Sequence, residues 1–231
     1  MKKLIHRWLY QRPQLDSHQK TRLSAWQALT KVSADKARYV VVDVEATGLN
    51  MISDELISIG AVAVVNGRIV LGDSFYIVMQ QRVSSTKENI LLHGISGAEQ
   101  REGESPAEAL LAFLEYLGNA PLVAFHSVFD ETMIARAMRR YLGLTFKHCW
   151  LDLAYVMPSL YPDLMYSHRT LDDWSDNFRL HNEQRHNAVA DAMVTAQLYL
   201  IAERAAKNKG NSGYTELRGM ELAYRSAIGR R

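Results

Sequence analysis

Hydrophobic residues appear first at helical spacing and then in short continuous runs. Over residues 5–31 apolar positions recur every three or four residues with Pro13 between them, which predicts two short helices. From Tyr39 the run YVVVDV is rich in β-branched residues, a composition typical of a buried strand. Further on, Asn66-Gly67 separates two apolar runs, the strongest short-range hairpin signal. We therefore expect three opening strands, two of them an antiparallel pair.

Beyond the hairpin the pattern alternates between strand and helix. PLVAF predicts a fourth strand. Helices are predicted over residues 105–117, 129–141, 151–160, 171–178 and 187–207. This order indicates an α/β domain with a mixed sheet. We divide the chain into a basic helical extension (1–38), a main domain (39–207) and a basic C-terminal tail (208–231), which we expect to be loosely ordered after Gly210.

Composition limits the class of protein. With 231 residues and 48% apolar content, the chain can bury the core of one large domain. No apolar run reaches the roughly 18 to 20 residues of a membrane span, and the N-terminus does not resemble a signal peptide. We expect a cytoplasmic protein without membrane contact. The single cysteine, Cys149, cannot form an intramolecular disulfide and is expected to be a small core residue.

The net charge of +2 hides an uneven distribution. Residues 1–38 carry nine Lys/Arg against two acids, and residues 203–231 carry seven against three. Residues 39–202 carry a formal −9, from eleven Lys/Arg and twenty acids. An acidic centre suits metal-binding carboxylates, and basic ends suit contacts with phosphates. Ordinary solvated helix faces are the alternative for the two ends.

Two carboxylates end the first predicted strand. Asp43 and Glu45 are two positions apart, so their side chains project from the same face and can share a cation. Without a positive charge between them they would repel each other. Thr47-Gly48 follow as a turn whose backbone can approach a ligand. The alternative is that both acids are polar loop residues.

Two further acids and one histidine lie close to the starts of predicted helices. Asp130 follows the fourth strand, where it either joins the cluster or simply complements a helix N-terminus. Asp191 lies after the N-cap candidate Asn187 among small apolar residues, and a carboxylate there needs a partner. His186 lies just outside that helix, where a general base can reach water and exchange its proton. A surface histidine is the alternative.

Three motifs, DVEATG, HSVFD and HNAVAD, closely resemble those of the DnaQ-like (DEDDh) exonuclease family, which includes the proofreading epsilon subunit of bacterial DNA polymerase III. The resemblance covers residues 39–202. It implies an RNase H-like fold with a five-stranded mixed sheet flanked by helices, and 3'→5' exonuclease activity. It also implies two divalent ions on Asp43, Glu45, Asp130 and Asp191, with His186 as general base. Hard oxygen ligands favour Mg²⁺, with Mn²⁺ as a substitute.

The resemblance also implies substrate contacts. Leu49 would wedge against the last base, Thr47 would bond the terminal sugar, and His93 in LLHGIS would contact the nucleotide. Two positions depart from the family pattern, because Ala46 replaces a threonine and His126 an asparagine. We expect the missing hydroxyl at Ala46 to alter contacts with the terminal nucleotide. His126 is either a substrate contact or a histidine hydrogen-bonded under the end of the sheet.

The predicted partner is a nucleic acid with a free 3' end. We favour single-stranded DNA, hydrolysed to nucleoside monophosphates by a two-metal mechanism. An exoribonuclease of the same fold is one alternative, since nothing in the sequence tests recognition of the 2'-OH. The other is a polymerase-associated nucleic-acid-binding module whose chemistry is secondary or lost. All five catalytic positions are present and the tail contains no obvious apolar clamp-binding peptide, which favours a stand-alone enzyme.

Overall fold

The protein is built around one mixed sheet in a computed structural model that describes residues 13–29, 38–182, 184–211 and 213–229. The strands are β1 (Arg38–Ala46), β2 (Leu56–Val65), β3 (Arg68–Val78), β4 (Leu122–Ala124) and β5 (Trp150–Asp152). Their order is β3-β2-β1-β4-β5, with antiparallel β1–β2 and β2–β3 pairs and parallel β1–β4 and β4–β5 pairs. This confirms the predicted RNase H-like α/β fold with a five-stranded mixed sheet.

Helices cover both faces of the sheet. They are α1 (Ser17–Gln27), α2 (Lys87–His93), α3 (Gly97–Glu102), α4 (Pro106–Leu117), α5 (Val128–Ala137), α6 (Leu153–Leu160), α7 (Leu171–Asn177), α8 (Ala188–Asn208) and α9 (Tyr214–Ile228). Val40 and Val42 of β1 face the core formed with α4 and α5, whereas Tyr39 and Val41 face the core formed with α6 and α8. Because side chains alternate along a strand, Asp43 continues the α8 side.

One predicted helix began too early, and the prediction for the C-terminal tail was wrong. The helix predicted over residues 151–160 is confirmed as α6 for residues 153–160, but its first two residues belong to strand β5, since a short apolar run fits a strand as well as a helix. The tail expected to be loosely ordered contains the 15-residue helix α9. Tyr214 and Leu217 bury one side of α9 in the α8-side core, which explains why it forms a helix. Cys149 is partly buried against the same core.

Helix α1 is anchored on the main domain. It corresponds to the second of the two helices predicted near the N-terminus, and the first lies outside the described residues. Arg22 forms an ion pair with Glu115 at 2.6 Å and another with Glu108. The indole N–H of Trp26 donates to the carbonyl of Gly118 at 2.8 Å.

Among the described helices, none combines the length and the apolar character that a membrane span requires.

A glycine allows α8 to approach the sheet. Gly60 pairs with Asp43 across the β1–β2 ladder. A Cβ added at Gly60 would lie 2.3 Å from the carbonyl carbon of Ala188, closer than any real side-chain contact. Only glycine therefore permits the first turn of α8, which carries Asp191, to lie directly against β2 beside Asp43 of the neighbouring strand β1.

Candidate active site

Four carboxylates meet at the end of β1. Asp43 and Glu45 from β1 and Asp191 from α8 each offer an oxygen, and these atoms lie within 4.8 Å of one another. Asp130, in the first turn of α5, is not part of that group, but it is buried and close enough for its charge to act on both acids of β1. The structure thus brings together the four acids that the sequence singled out.

The electrostatics of this cluster favour a bound cation. Burial, followed by repulsion from the neighbouring carboxylates, raises the pKa of Asp43 well above its ordinary value. The same causes raise the pKa of Glu45 to about 8. Burial also raises the pKa of Asp130. Hard oxygen donors whose charges are poorly balanced by the protein are the ligands that Mg²⁺ and Mn²⁺ prefer, so these residues fit divalent ions.

Three residues that precede α8, Asn182, Arg185 and His186, contact Asp191. The side-chain amide of Asn182 donates to one oxygen of Asp191. The backbone N–H of His186 donates to the other at 3.0 Å. Arg185 lies 2.5 Å from that second oxygen and also pairs with Asp172. Asp191 therefore has the partners that a buried carboxylate needs, and the sequence alone did not reveal two of them, Asn182 and Arg185.

His186 is placed at the edge of this cluster. Its backbone adopts φ +62°, and its side chain is partly exposed. No described residue forms a hydrogen bond with its imidazole ring, although its backbone is bonded to Asp191. The ring is therefore available to exchange a proton with solvent, as a general base requires.

The loop between β1 and β2 forms an apolar rim beside the acids. Leu49 and Ile52 are each 87% exposed. The hydroxyl of Thr47 donates to Asp54 at 3.3 Å and accepts the N–H of Glu55 at 2.9 Å. Leu49 is free to meet a base, whereas the hydroxyl of Thr47 already has partners within the loop. The predicted contact with a sugar would have to compete with them.

His93 lies behind the site rather than on its surface. It is 4% exposed, and burial lowers the pKa of its ring. Its Nδ1 accepts the N–H of Ile95 at 2.9 Å, so Nε2 carries the proton and donates to Asn89 at 2.9 Å. The side-chain amide of Asn89 donates to the carbonyl of Ala46 at 3.1 Å. In this arrangement His93 supports the end of β1, and the structure does not bring it to a surface that a nucleotide could reach.

The two departures from the family pattern lie in different environments. The side chain of Ala46 is buried in the α4-side core, so the missing hydroxyl does not change an exposed surface. His126 is exposed and donates from Nε2 to the carbonyl of Arg169 at 3.0 Å. It is thus hydrogen-bonded but not under the sheet, and its exposure leaves contact with a substrate open.

Comparison with known proteins agrees with this geometry. A sequence model of a family described as exonuclease matches residues 40–199. The chain is 33% identical over 165 residues to a DNA polymerase III PolC-type protein of Caldanaerobacter subterraneus subsp. tengcongensis, which covers 71% of this chain and 11% of the relative. It is 29% identical to a DNA polymerase III subunit epsilon-like protein of Rhodobacter capsulatus, covering 79% of this chain and 26% of that protein. The chain thus spans only a tenth to a quarter of these relatives.

Solved structures share the fold. E. coli exonuclease I in complex with a dT13 oligonucleotide superposes with a TM-score of 0.63 at 16% identity, covering 75% of this chain and 42% of that one. Cell-death related nuclease 4 superposes with a TM-score of 0.65 at 14% identity, covering 78% and 66%. The matched family model, together with this fold, defines the class as that of the exonucleases. The chain belongs to the DnaQ-like 3'→5' exonuclease family, which confirms the family and the enzyme class predicted from the sequence.

Proposed function

We propose that this protein removes nucleotides one at a time from the 3' end of single-stranded DNA and releases nucleoside monophosphates. The observation that carries this proposal is the cluster of Asp43, Glu45 and Asp191, whose oxygens lie within 4.8 Å of one another beside the partly exposed His186. Such a cluster of poorly balanced carboxylates suits hydrolysis of a phosphodiester only if cations accompany the substrate. The cytoplasmic location expected from the sequence is part of the same proposal.

Asp43, Glu45, Asp130 and Asp191 would hold two divalent ions, with Mg²⁺ as the physiological metal. When bound, the ions would lower the pKa of a water molecule and balance charge on the scissile phosphate. His186 would accept the proton of the attacking water and pass it to solvent, since its ring is at the edge of the site. As the water oxygen bonds to phosphorus, the bond between phosphorus and the 3' oxygen would break, and the shortened strand would keep that oxygen, protonated from solvent, as its new 3' hydroxyl.

The exposed leucine at the rim supports a terminal substrate. Leu49 is 87% exposed and follows Glu45 by four positions, so it can pack against the last base of a strand whose bases are unstacked. Solved structures of E. coli exonuclease I, which share this fold, contain the single strands dT13 and dA16. These observations favour single-stranded DNA over a duplex, and a free end over a continuous strand.

The test uses one set of strands labelled at the 5' end. We expect DNA to shorten one nucleotide at a time with Mg²⁺, to remain intact with excess chelator, and to be cut faster than RNA of the same sequence. A circular single strand should survive. Faster cutting of the RNA would make the protein an exoribonuclease, and cutting of the circle or cutting in chelator would overturn the proposed mechanism.

A role within a polymerase assembly is the second candidate, because the curated relatives include DNA polymerase III PolC-type proteins. Under that account the chain binds divalent ions but degrades none of the strands on its own. Measuring ion binding by calorimetry beside the strand assay separates a partner-dependent enzyme from a stand-alone one.

A further inference from the structure

Helix α9 is joined to the end of β5 through two buried carboxylates. Asp152 and Glu221 are both fully buried. Glu221 accepts the backbone N–H of Asp152 at 3.1 Å. Arg225 bridges the pair, donating from Nε to Glu221 and from Nη2 to Asp152, each at 2.9 Å. Charge-assisted hydrogen bonds of this kind are stronger than neutral ones, so α9 is held firmly against β5.

Asp152 in turn holds the backbone that leads to Asp130. Its carboxylate accepts the N–H of His126 at 2.9 Å, the N–H of Ser127 at 3.0 Å and the hydroxyl of Ser127 at 3.1 Å. His126 adopts φ +60°, a conformation that costs energy for a residue with a side chain. Three donors directed at one buried carboxylate stabilise that turn. Because Ser127 directly precedes α5, the turn fixes where the helix carrying Asp130 begins.

We propose that Asp152, Glu221 and Arg225 form a positioning network that sets the place of Asp130 in the active site. This inference rests on the metal site proposed above. The network makes α9, which the sequence assigned to a tail, a working part of the exonuclease domain. None of the three residues needs to touch a substrate or an ion.

Arg225 is the member on which the network depends. Its guanidinium lies 3.7 Å from the ring centroid of Tyr155, a stacking contact that fixes its plane. Arg218 also pairs with Glu221, but among the described residues Arg225 is the cation that contacts Asp152. Without Arg225 the carboxylate of Asp152 would be buried with no opposite charge, a costly state that favours displacement of the turn at His126.

The test compares three full-length variants. Arg225→Met removes the bridge. Arg225→Lys keeps the charge but can bond only one of the two carboxylates. Arg218→Met is the matched control, because it removes an arginine from the same helix and from Glu221 without touching Asp152. Mn²⁺ binding is measured by calorimetry without nucleic acid, beside the melting temperature (Tm), kcat and KM.

We expect Arg225→Met to weaken Mn²⁺ binding and to lower kcat, each by roughly ten- to a hundredfold, as for other residues that orient metal ligands. KM for DNA should change little. Arg225→Lys should fall between Arg225→Met and the wild type, and Arg218→Met should bind Mn²⁺ like the wild type.

The competing account is that α9 only stabilises the fold. It predicts that Arg225→Met lowers the Tm but, below that temperature, binds Mn²⁺ and turns over like the wild type, and this result would overturn the inference. If Arg225→Met does not fold, Arg225→Lys decides, since wild-type Mn²⁺ binding by that variant has the same meaning. A wild-type protein that needs no divalent ion would instead refute the metal site itself.

Discussion

Two clusters of buried or partly buried carboxylates lie near strand ends of the same sheet, and they differ in how their charge is balanced. At β5, Asp152 and Glu221 are paired with two guanidinium groups, those of Arg218 and Arg225. At β1, four carboxylates share one nearby arginine within the described part of the chain, Arg185, which also pairs with Asp172. The first cluster carries its own counter-ions, whereas the second lacks enough of them.

This difference teaches that an acid at a strand end has no fixed role. Asp43 lies near the end of β1 and is partly buried, and Asp152 ends β5 and is fully buried, yet their partners make one a candidate metal ligand and the other a structural acceptor. Buried charges need compensation, and a protein can supply it from its own side chains or leave it to a ligand. A surplus of negative charge therefore marks the site at which we propose that cations bind.

The largest expected effect comes from breaking the unbalanced cluster. Asp43→Asn should nearly abolish hydrolysis, because Asp43 lies among all the other acids. Its Tm without metal at pH 8 should equal or exceed that of the wild type, since the change relieves repulsion. Turnover and thermal melting are measured on the same preparation.

Asp152→Asn is the control for that variant. It should lower the Tm, because Arg225 and the turn at His126 lose a charged partner. Wild-type hydrolysis by Asp43→Asn, or a large loss of its metal-free stability, would show that the two clusters do not differ in the way described.

Removing the proposed base should have the next largest effect. We expect His186→Ala to lower turnover by roughly two to four orders of magnitude, the usual range for a general base. Metal binding should hold, because the contact between residue 186 and Asp191 is made by the backbone N–H. The acidic limb of the pH–rate profile should change as well. A variant with full rate and an unaltered profile would make His186 an ordinary loop residue.

The pH dependence of stability should also distinguish the two clusters, with a smaller effect than the substitutions at Asp43 and His186. The folded chain holds a proton on Glu45 up to about pH 8, whereas the unfolded chain releases it near the ordinary pKa of 4.5. Raising the pH between these values therefore destabilises the metal-free protein. The Tm without metal should fall from pH 5 to pH 8, and Mg²⁺ should restore more of it at pH 8.

The control for this experiment is Glu45→Gln, which cannot titrate. Other groups in the protein contribute to any pH profile, so the informative quantity is the difference between wild type and variant. An identical slope in both proteins would mean that Glu45 titrates normally and that its surroundings are not short of positive charge.

Local patterns predicted most of the sheet and the four acids. β-branched runs and the Asn66-Gly67 turn located the first three strands, because these signals depend on neighbouring residues only. Each acidic motif alone left an alternative open, and it was the order of the three motifs and the family resemblance that singled out Asp43, Glu45, Asp130 and Asp191. The three-residue strand β5 was mistaken for a helix start, since such a short apolar run carries no period.

Long-range partners were not predictable in this way. Glu221 lies 69 positions from the backbone N–H that it accepts, and no spacing rule links the two. Gly60 left a usable signal, since a glycine inside an apolar strand indicates a close approach, here of α8. Asp152 left another, an acid ending a short apolar run as Asp43 does. Neither signal predicts which residues will lie against Gly60 or Asp152, because the fold determines those partners.

The smallest expected effects concern the N-terminal region, where packing and charge can be tested separately. Trp26 packs on Phe146 with ring centroids 6.0 Å apart and bonds to Gly118, but it is only partly buried. We expect Trp26→Ala to cost about 2 kcal/mol, less than the 3–5 kcal/mol typical of a buried aromatic residue, and to leave DNA binding unchanged.

Removing residues 1–12, which carry four Lys/Arg and no acid, should instead weaken binding of single strands. Each lost phosphate contact should make the slope of log affinity against log salt shallower by about 0.7, while kcat at saturating substrate stays the same. Titrations at several salt concentrations and melting curves on both variants decide the matter. If removal of residues 1–12 lowers the Tm and leaves the salt slope alone, that segment stabilises the fold and its basic residues play no part in capturing the strand.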